Sequence, residues 1–535
     1  MSHSFSSKGI AIDYSRYQPH SKLTSYATVS EILSMNAAVS DIHFQRCLRG
    51  FSCSGPTNTP QTMWEKVPTK LNLFPESFHP FNYYMYVQKS AIVQSERYIL
   101  GFAFTSTNEE PEHEGSKVMS RKIWSGGYLW IYYVDDIDFN IPIVHDVNVF
   151  FGKDDMKDSR KHWKFEPTPI PLPGKHSSHA KLSALTIAIV DEINILEKEK
   201  EFDMILKKDE MIVTTNPKFK IMQLSDLHIG QDVGICYDDC KFDVDTLKFV
   251  EQAIQKEGDV SLVVITGDMI DSSRTAHHES VVLKALSPIL EAGIPFIFTF
   301  GDSDYDHTNY LSKLNVLNFI ASLPGCYNKR VDELDHRIHG LSNGNLNVYH
   351  VPPTIEGEKI NLGSLPLESA DALITYLDSE GKSVKDSQAN YVYRVNHRTS
   401  AETDQKLLFL HYPLPNFRPS GTVKLIGGYQ EKHPLATDTD KKFLEDMKAS
   451  GYKAVAVGHE HENDACVWEE SKGSKVLLCY SGITGESGHT KLDPGYKRRL
   501  RVFELDFEQN RIYSWKRDQE KSLDAQEIWT AEASG

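Results

Sequence analysis

Five short apolar runs in the last 320 residues each stop at a side chain able to bind a metal ion. They are FKIMQL before Ser225-Asp226-Leu227-His228, SLVVIT before Gly267-Asp268, IPFIFTF before Gly301-Asp302-Ser303-Asp304, LLFL before His411, and KAVAV before Gly458-His459-Glu460-His461. A short, continuous β-branched and aromatic run has the composition of a strand buried on both faces of a parallel sheet. Ligands of such sheets gather at the carboxyl ends of the strands. Between the runs lie amphipathic stretches, DVDTLKFVEQAIQKE from Asp243 to Glu257 and ESVVLKALSPILE from Glu279 to Glu291, each about the length of a crossover helix. The alternation predicts an α/β fold with a layered β-sheet core and flanking helices.

A chain of 535 residues is too long for one core and should divide into two or three domains. Residues 1–30 are polar and rich in Ser, Tyr and Thr, as a flexible arm is. Residues 31–160 are expected to form an N-terminal β-rich domain, carried by YYMYVQKSAIV, RYILGFAFTST, GGYLWIYYV and VHDVNVFF. Residues 161–216 are assigned as a linker in which ALTIAIVDEINIL could be a strand pair or a helix. The α/β domain is expected over 217–516, interrupted by an insertion at 331–396 with weak strand signals in NLNVYHV and NYVYRV. A polar tail at 517–535 follows.

Lys and Arg number 58 against 74 Asp and Glu, a net charge of −16, with no dense basic stripe. Nucleic acid is therefore disfavoured as a partner, since neutralising phosphates takes clustered cations. No stretch has the roughly 18 consecutive apolar residues of a membrane span. The first residues lack the order of a secretory signal, so a cytoplasmic protein is expected. Seven cysteines, sparse and odd in number, read as plain thiols of a reducing compartment.

Asp226 and His228 are spaced i, i+2 after one run, His459 and His461 repeat that spacing after another, and Asp268, Asp302 and His411 stand alone at their run ends. Carboxylates and neutral imidazoles that converge in this way suit a pair of cations about 3.5–4 Å apart with one carboxylate shared between them. The order Asp-x-His, Gly-Asp, Gly-Asp-Ser-Asp, His, Gly-His-x-His resembles the signature of calcineurin-like metallophosphoesterases. The segments FKIMQLSDLH, VGHEHENDAC and GYKRRLRVFELD look like the fungal and plant phosphatase branch related to small purple acid phosphatases.

The resemblance implies two divalent metal ions of Mn, Fe or Zn type. It places Asp226, His228 and His461 on the first, His411 and His459 on the second, Asp268 as the bridge, and Asp302 at the position of a family asparagine. It implies water activated by two Lewis acids and a phosphorylated substrate, protein or small molecule. In this chain Asp302 and Ser303 replace the Asn-His of the family, and that histidine is credited with protonating the leaving group. An ionised Asp302 lowers the net charge of a two-cation site to about zero and weakens attraction for a phosphate dianion. Loss of a general acid typically costs about 10²- to 10⁴-fold in rate. His307, four residues after Ser303, is a candidate substitute acid if a helix has begun there. The alternative is a catalytically inactive relative that serves as a binding or regulatory module. No tyrosine follows Gly267-Asp268, where Met269, Ile270, Asp271 and Ser272 stand, so an iron-tyrosinate chromophore is not expected. Asp304 and Asp306 are expected as helix caps, His277 and His278 as solvated loop residues, and Gly482, Gly485 and Gly488 as a loop lining the cleft.

Overall fold

The computed structural model describes residues 36–531 except 60–62, 68–69, 72–79, 114, 124–126, 153–156, 172–179, 193–209, 231–240, 276, 352–369, 380–382, 399–402, 419–424, 429–440, 472 and 487–496. The arm assigned to residues 1–30 lies outside the described residues. No helix among the described residues is long and apolar enough to cross a membrane.

Among the described residues, nine strands build the N-terminal region: β1 (Ala37–Leu48), β2 (Met63–Lys66), β3 (Phe81–Ala91), β4 (Tyr98–Thr105), β5 (Lys117–Lys122), β6 (Tyr128–Val134), β7 (Pro142–Phe151), β8 (Trp163–Phe165) and β9 (Ala180–Ala188). They pair antiparallel into three small sheets, β1-β3-β2, β4-β6-β5 and β7-β9-β8. The apolar segments of the sequence are strands here. Residues 161–188, assigned to a linker, instead contribute β8 and β9 to the third sheet, because Ala180–Ala188 is buried almost throughout and pairs along the whole of β7.

The second region contains β10 (Met211–Thr214), β11 (Lys218–Leu224), α1 (Lys241–Glu257), β12 (Val260–Thr266), α2 (His278–Glu291), β13 (Phe296–Thr299) and α3 (Tyr310–Ser322). Then come β14 (Gly344–His350), β15 (Ala372–Leu377), α4 (Asp386–Arg398), β16 (Gln405–Leu410), β17 (Leu425–Ile426), α5 (Lys441–Ala449), β18 (Ala454–Val457), β19 (Cys466–Ser471), β20 (Ser474–Tyr480), β21 (Leu500–Asp506), β22 (Arg511–Arg517) and β23 (Ser522–Thr530). Among the described residues they form two sheets, of order β10-β14-β15-β16-β18-β20-β19-β17 and β13-β12-β11-β21-β22-β23.

Side-chain alternation explains the layering. Phe219 and Ile221 of β11 and Leu262 and Val264 of β12 meet Ile374 and Phe409 of the larger sheet in one core. Their neighbours Met222, Leu224, Val263 and Ile265 face the other way, onto Phe249 of α1, Val281 of α2 and Leu317 of α3. Leu408 and Leu410 point outward against Val392 of α4 and Leu444 of α5. A period-2 strand with both faces apolar can only be satisfied in this way, as an inner layer between a second sheet and a helix layer. The N-terminal sheets seat on the helix layer, where Phe150 and Phe151 pack on His277 and Phe319.

Two further assignments change. Residues 331–396 are not an insertion, because β14 and β15 are integral strands and β15 pairs parallel with β16 over its whole length. Within them NYVYRV belongs to α4 rather than to a strand, presenting Val392 and Val395 at helical spacing. The tail assigned to 517–535 contains β23, an edge strand paired with β22. Its polarity is that of an exposed edge.

Candidate metal centre

β11, β12 and β13 of one sheet and β16 and β18 of the other release their chains at a common edge, and the seven candidate ligands lie there. They form two groups with Asp268 common to both: Asp226, His228, Asp268 and His461, and Asp268, Asp302, His411 and His459. In the first, His228 Nε2 is 3.2 Å from His461 Nε2 and 3.6 Å from Asp268 Oδ2, and His461 Nε2 is 3.6 Å from Asp226 Oδ1. In the second, His411 Nε2 is 3.6 Å from both Asp268 Oδ2 and Asp302 Oδ1, and His459 Nδ1 is 3.9 Å from Asp302 Oδ1. Metal bonds of about 2.0–2.2 Å at tetrahedral angles place donor atoms about 3.3–3.6 Å apart. The donor spacing within each group therefore suits metal ligation, and Asp268 Oδ2 faces both groups.

Local backbone strain aims these side chains. Asp226, His228, Asp268 and His459 hold φ of 55°, 47°, 51° and 69°, a left-handed conformation that costs a non-glycine residue about 1 kcal/mol or more. The loops are laced together so that the strain cannot relax. Asp226 N donates to Gly267 O, His228 N to Asp268 O and Gly458 N to His411 O. Gly301 is confined, since a Cβ there would lie 2.1 Å from Asp268 Oδ1.

Each carboxylate commits one oxygen to a protein donor and turns the other to the imidazoles. His459 N donates to Asp226 Oδ2, Ser303 N to Asp268 Oδ1, and the Tyr412 hydroxyl to Asp302 Oδ2. His411 Nδ1 lies 2.8 Å from Thr266 O, which fixes that nitrogen as an N–H donor and turns Nε2 toward the carboxylates. Asp226 Oδ1 and His411 Nε2 are buried with no hydrogen-bond partner among the described residues.

The electrostatics point the same way. Burial, aided by the neighbouring Asp268 charge and opposed by His411, pushes the Asp226 carboxyl up to about 8. Burial also raises Asp268. Against the burial that disfavours its charge, the carboxylates of Asp268, Asp302 and Asp226 push His411 up to about 10. Asp302, despite a desolvation cost, is held below the usual range by His411, His459 and Tyr412. Buried carboxylates that resist ionisation around an imidazole whose pKa they raise are an environment that divalent cations neutralise by displacing those protons.

Ser303 sits inside the site. Its Oγ donates to Ile270 O at 2.7 Å and lies 3.5 Å from His228 Nδ1. His307 is not on a helix, since α3 begins at Tyr310; its Nε2 is bonded to Asp302 O at 2.6 Å, so that nitrogen is occupied by the backbone. Asp304 is not a helix cap. It is fully buried and accepts the amides of Asp268, Met269, Ile270 and Gly301, clasping the β12 and β13 ends together. Asp306 accepts Thr308 N in a local turn.

His277 is buried at the N-terminus of α2, where Nδ1 accepts from Ser280 N, rather than solvated. The loop around Gly482 and Gly485 gives its amides to the site: Ile483 N donates to His461 O, Thr484 N to Ser225 O and Gly485 N to Asp226 O. Gly488 lies outside the described residues. Sequence reasoning missed Glu460, buried between the two candidate histidines, paired with Arg418 and accepting from Asn463 Nδ2. The polar run HEHEND, residues 459–464, was its only signal.

The cysteine reading also changes. Cys47–Cys53 and Cys466–Cys479 are disulfides, and Cys326 is a buried thiol outside either of them, while Cys236 and Cys240 lie outside the described residues. Cys466 and Cys479 are opposed residues of neighbouring strands, a proximity that only pairing register creates. The cysteine count therefore carries no argument about compartment.

Residues 219–463 match the family model of calcineurin-like phosphoesterases. The chain is similar to Protein SIA1 of Kluyveromyces lactis, 30% identical over 431 residues, 76% of this chain and 66% of that protein. It is similar to Phosphatase DCR2 of Saccharomyces cerevisiae, 30% identical over 332 residues, 57% of this chain and 54% of that protein. It is also similar to the probable inactive purple acid phosphatase 29 of Arabidopsis thaliana, 28% identical over 354 residues, 60% of this chain and 88% of that protein. The chain thus spans less than two thirds of the length of the two yeast relatives.

Proposed function

Because residues 219–463 belong to the calcineurin-like phosphoesterase family, we propose that this protein is a two-cation phosphatase acting on phosphate monoesters, on phosphoproteins or small molecules, with chemistry altered at Asp302 and Ser303. The observation that carries the reading is Asp268 Oδ2, 3.6 Å from His228 Nε2 on one side and from His411 Nε2 on the other. Asp226, His228 and His461 would hold one cation, His411, His459 and Asp302 the other, and Asp268 both.

Cations held there supply the Lewis acidity that in-line hydrolysis of a phosphate ester requires. The chain's own residues orient the donors, exclude water beneath the site through Asp304 and the buried Thr266, and fix the His411 tautomer through Thr266 O. The Ser303 hydroxyl donates a hydrogen bond to Ile270 O, so at the position where the resemblance puts a leaving-group acid this chain offers only an alcohol. Turnover is then expected to favour good leaving groups such as phenols.

A second reading rests on the same substitution and on the relative named probable inactive: the site binds metal and phosphate without turnover, and the protein acts as a binding module. One assay separates them. The chain is loaded with Mn²⁺ or Zn²⁺, and aryl phosphate hydrolysis is measured for native protein, Asp268→Asn and Ser303→His. An enzyme loses activity with the first change and gains about 10-fold or more with the second. Native activity no higher than that of Asp268→Asn, with either metal, sinks the phosphatase reading in favour of the binding module.

A further inference from the structure

Three carboxylates face the imidazoles, and each does so with one oxygen. For Asp226 and Asp268 the second oxygen is taken by a backbone amide, which no substitution of a side chain removes. For Asp302 it is taken by a side chain, the hydroxyl of Tyr412 at 2.9 Å from Oδ2. We infer that Tyr412 is a positioning residue of the second donor group: its phenol holds Oδ2 of Asp302 away from the cation, so that this aspartate presents Oδ1 alone. The inference rests on the two-cation reading above.

The geometry needs such a device at this position more than at the other two. The Asp302 side chain is 43% exposed, against 0% for Asp226 and 5% for Asp268, so packing does not fix its rotamer. A carboxylate, unlike an amide, carries two equivalent oxygens. Left to rotate, it presents either oxygen or neither, and binding a cation then carries the cost of ordering an exposed side chain. A phenol donating to Oδ2 fixes the rotamer in advance and keeps Oδ1 aimed at the site, so that cost is not set against cation binding.

Tyr412 itself is placed with little freedom. It follows His411 directly, its backbone N donates to Ser379 Oγ at 2.9 Å, and the residue is 7% exposed. Its ring lies against His459, centroids 4.0 Å apart, and edge-on to His411 at 5.2 Å. The hydroxyl thus arrives at Asp302 from a ring braced by both histidines of the same group. Ser379 lies just past the end of β15, so the segment first read as an insertion supplies the brace.

The test is a metal titration, not a rate. Apo protein is titrated calorimetrically with Zn²⁺ and with Mn²⁺, and bound metal after dialysis is counted by mass spectrometry, for native chain, Tyr412→Phe, Asp302→Asn and the double variant. Tyr412→Phe keeps the ring on His459 and removes only the hydroxyl. It is expected to weaken the second cation about 10- to 100-fold and to leave the first unchanged. In the Asp302→Asn background, where one carboxylate oxygen has become an amide nitrogen, the same change is expected to shift affinity less than about 2-fold, since the loss depends on the carboxylate.

Equal affinity of Tyr412→Phe and native protein for both cations overturns the inference, as does an undiminished effect in the Asp302→Asn background, which would assign the loss to packing. A native chain that binds no more cation than Asp268→Asn overturns the two-cation reading and this inference with it.

Discussion

Gly301→Ala offers a direct measure of how tightly the shared carboxylate is held. An ideal Cβ at this position falls 2.1 Å from Asp268 Oδ1, 2.4 Å from Asp268 N and 2.8 Å from Asp268 Cγ. Contact distances between carbon and oxygen are about 3.4 Å or more, so the carboxylate or the loop beneath it must retreat by about 1 Å. Metal sites tolerate about 0.2 Å in donor position. Asp268 Oδ2 faces both groups, so a single retreat disturbs both.

Overpacking of this kind costs about 1–3 kcal/mol of folding stability, and here it also strains the clasp in which Asp304 Oδ2 accepts Gly301 N. The expected result is a folded protein that retains less than one cation per chain after dialysis, by mass spectrometry. Gly473→Ala is the control: its φ is +81° with nothing within 4 Å of the added methyl, so it bears only backbone strain of about 1–2 kcal/mol and leaves metal content unchanged. A Gly301→Ala protein that holds two cations as tightly as the native chain would refute the placement of Asp268 as the shared ligand.

Arg418→Ala strips the partner from Glu460, buried between His459 and His461. It is expected to cost about 3 kcal/mol in denaturant unfolding, with Arg418→Ala/Glu460→Gln recovering part of the loss; no loss in the single variant would show that Glu460 is not charged there. In the N-terminal region, burial pushes the half-buried Glu166 up from 4.5 to about 7. A raised folded pKa means that the native state holds the extra proton, so stability is intact below about pH 4.5 and falls as pH rises through 7. After discounting for partial exposure, Glu166→Gln should match the native chain at pH 4.5 and exceed it by about 1–2 kcal/mol at pH 8.5. Equal unfolding midpoints at both pH values would contradict this.

The strand cores were legible because burial on both faces leaves a dense apolar pattern: FKIMQL, SLVVIT and LLFL are apolar at most of their positions, and each is a strand. The region 331–396 was misread for the opposite reason. Its strand β14, GNLNVYH, sets a buried glycine and two buried asparagines among its apolar residues, and its helix α4 has only three buried side chains on an otherwise polar surface. Burial of Asn345 is made possible by a partner distant in sequence, the hydroxyl of Tyr391 donating to Asn345 Oδ1. Local pattern cannot anticipate such satisfaction.

From the linear order alone, one could find seven metal-capable side chains at strand ends and the departure at Asp302 and Ser303, because residue type and strand periodicity are properties of the chain itself. Which oxygen of each carboxylate faces the imidazoles, that Asp304 clasps two loops, that Glu460 is paired with Arg418 and that Tyr412 reaches Asp302 were decided only by folding. These are distances between segments that folding alone brings together, set by the packing of two sheets whose strand ends share one edge. The left-handed backbone at Asp226, His228, Asp268 and His459 belongs to the same class. A non-glycine residue adopts it only where the surrounding loops hold it there, and no residue announces that in its own identity.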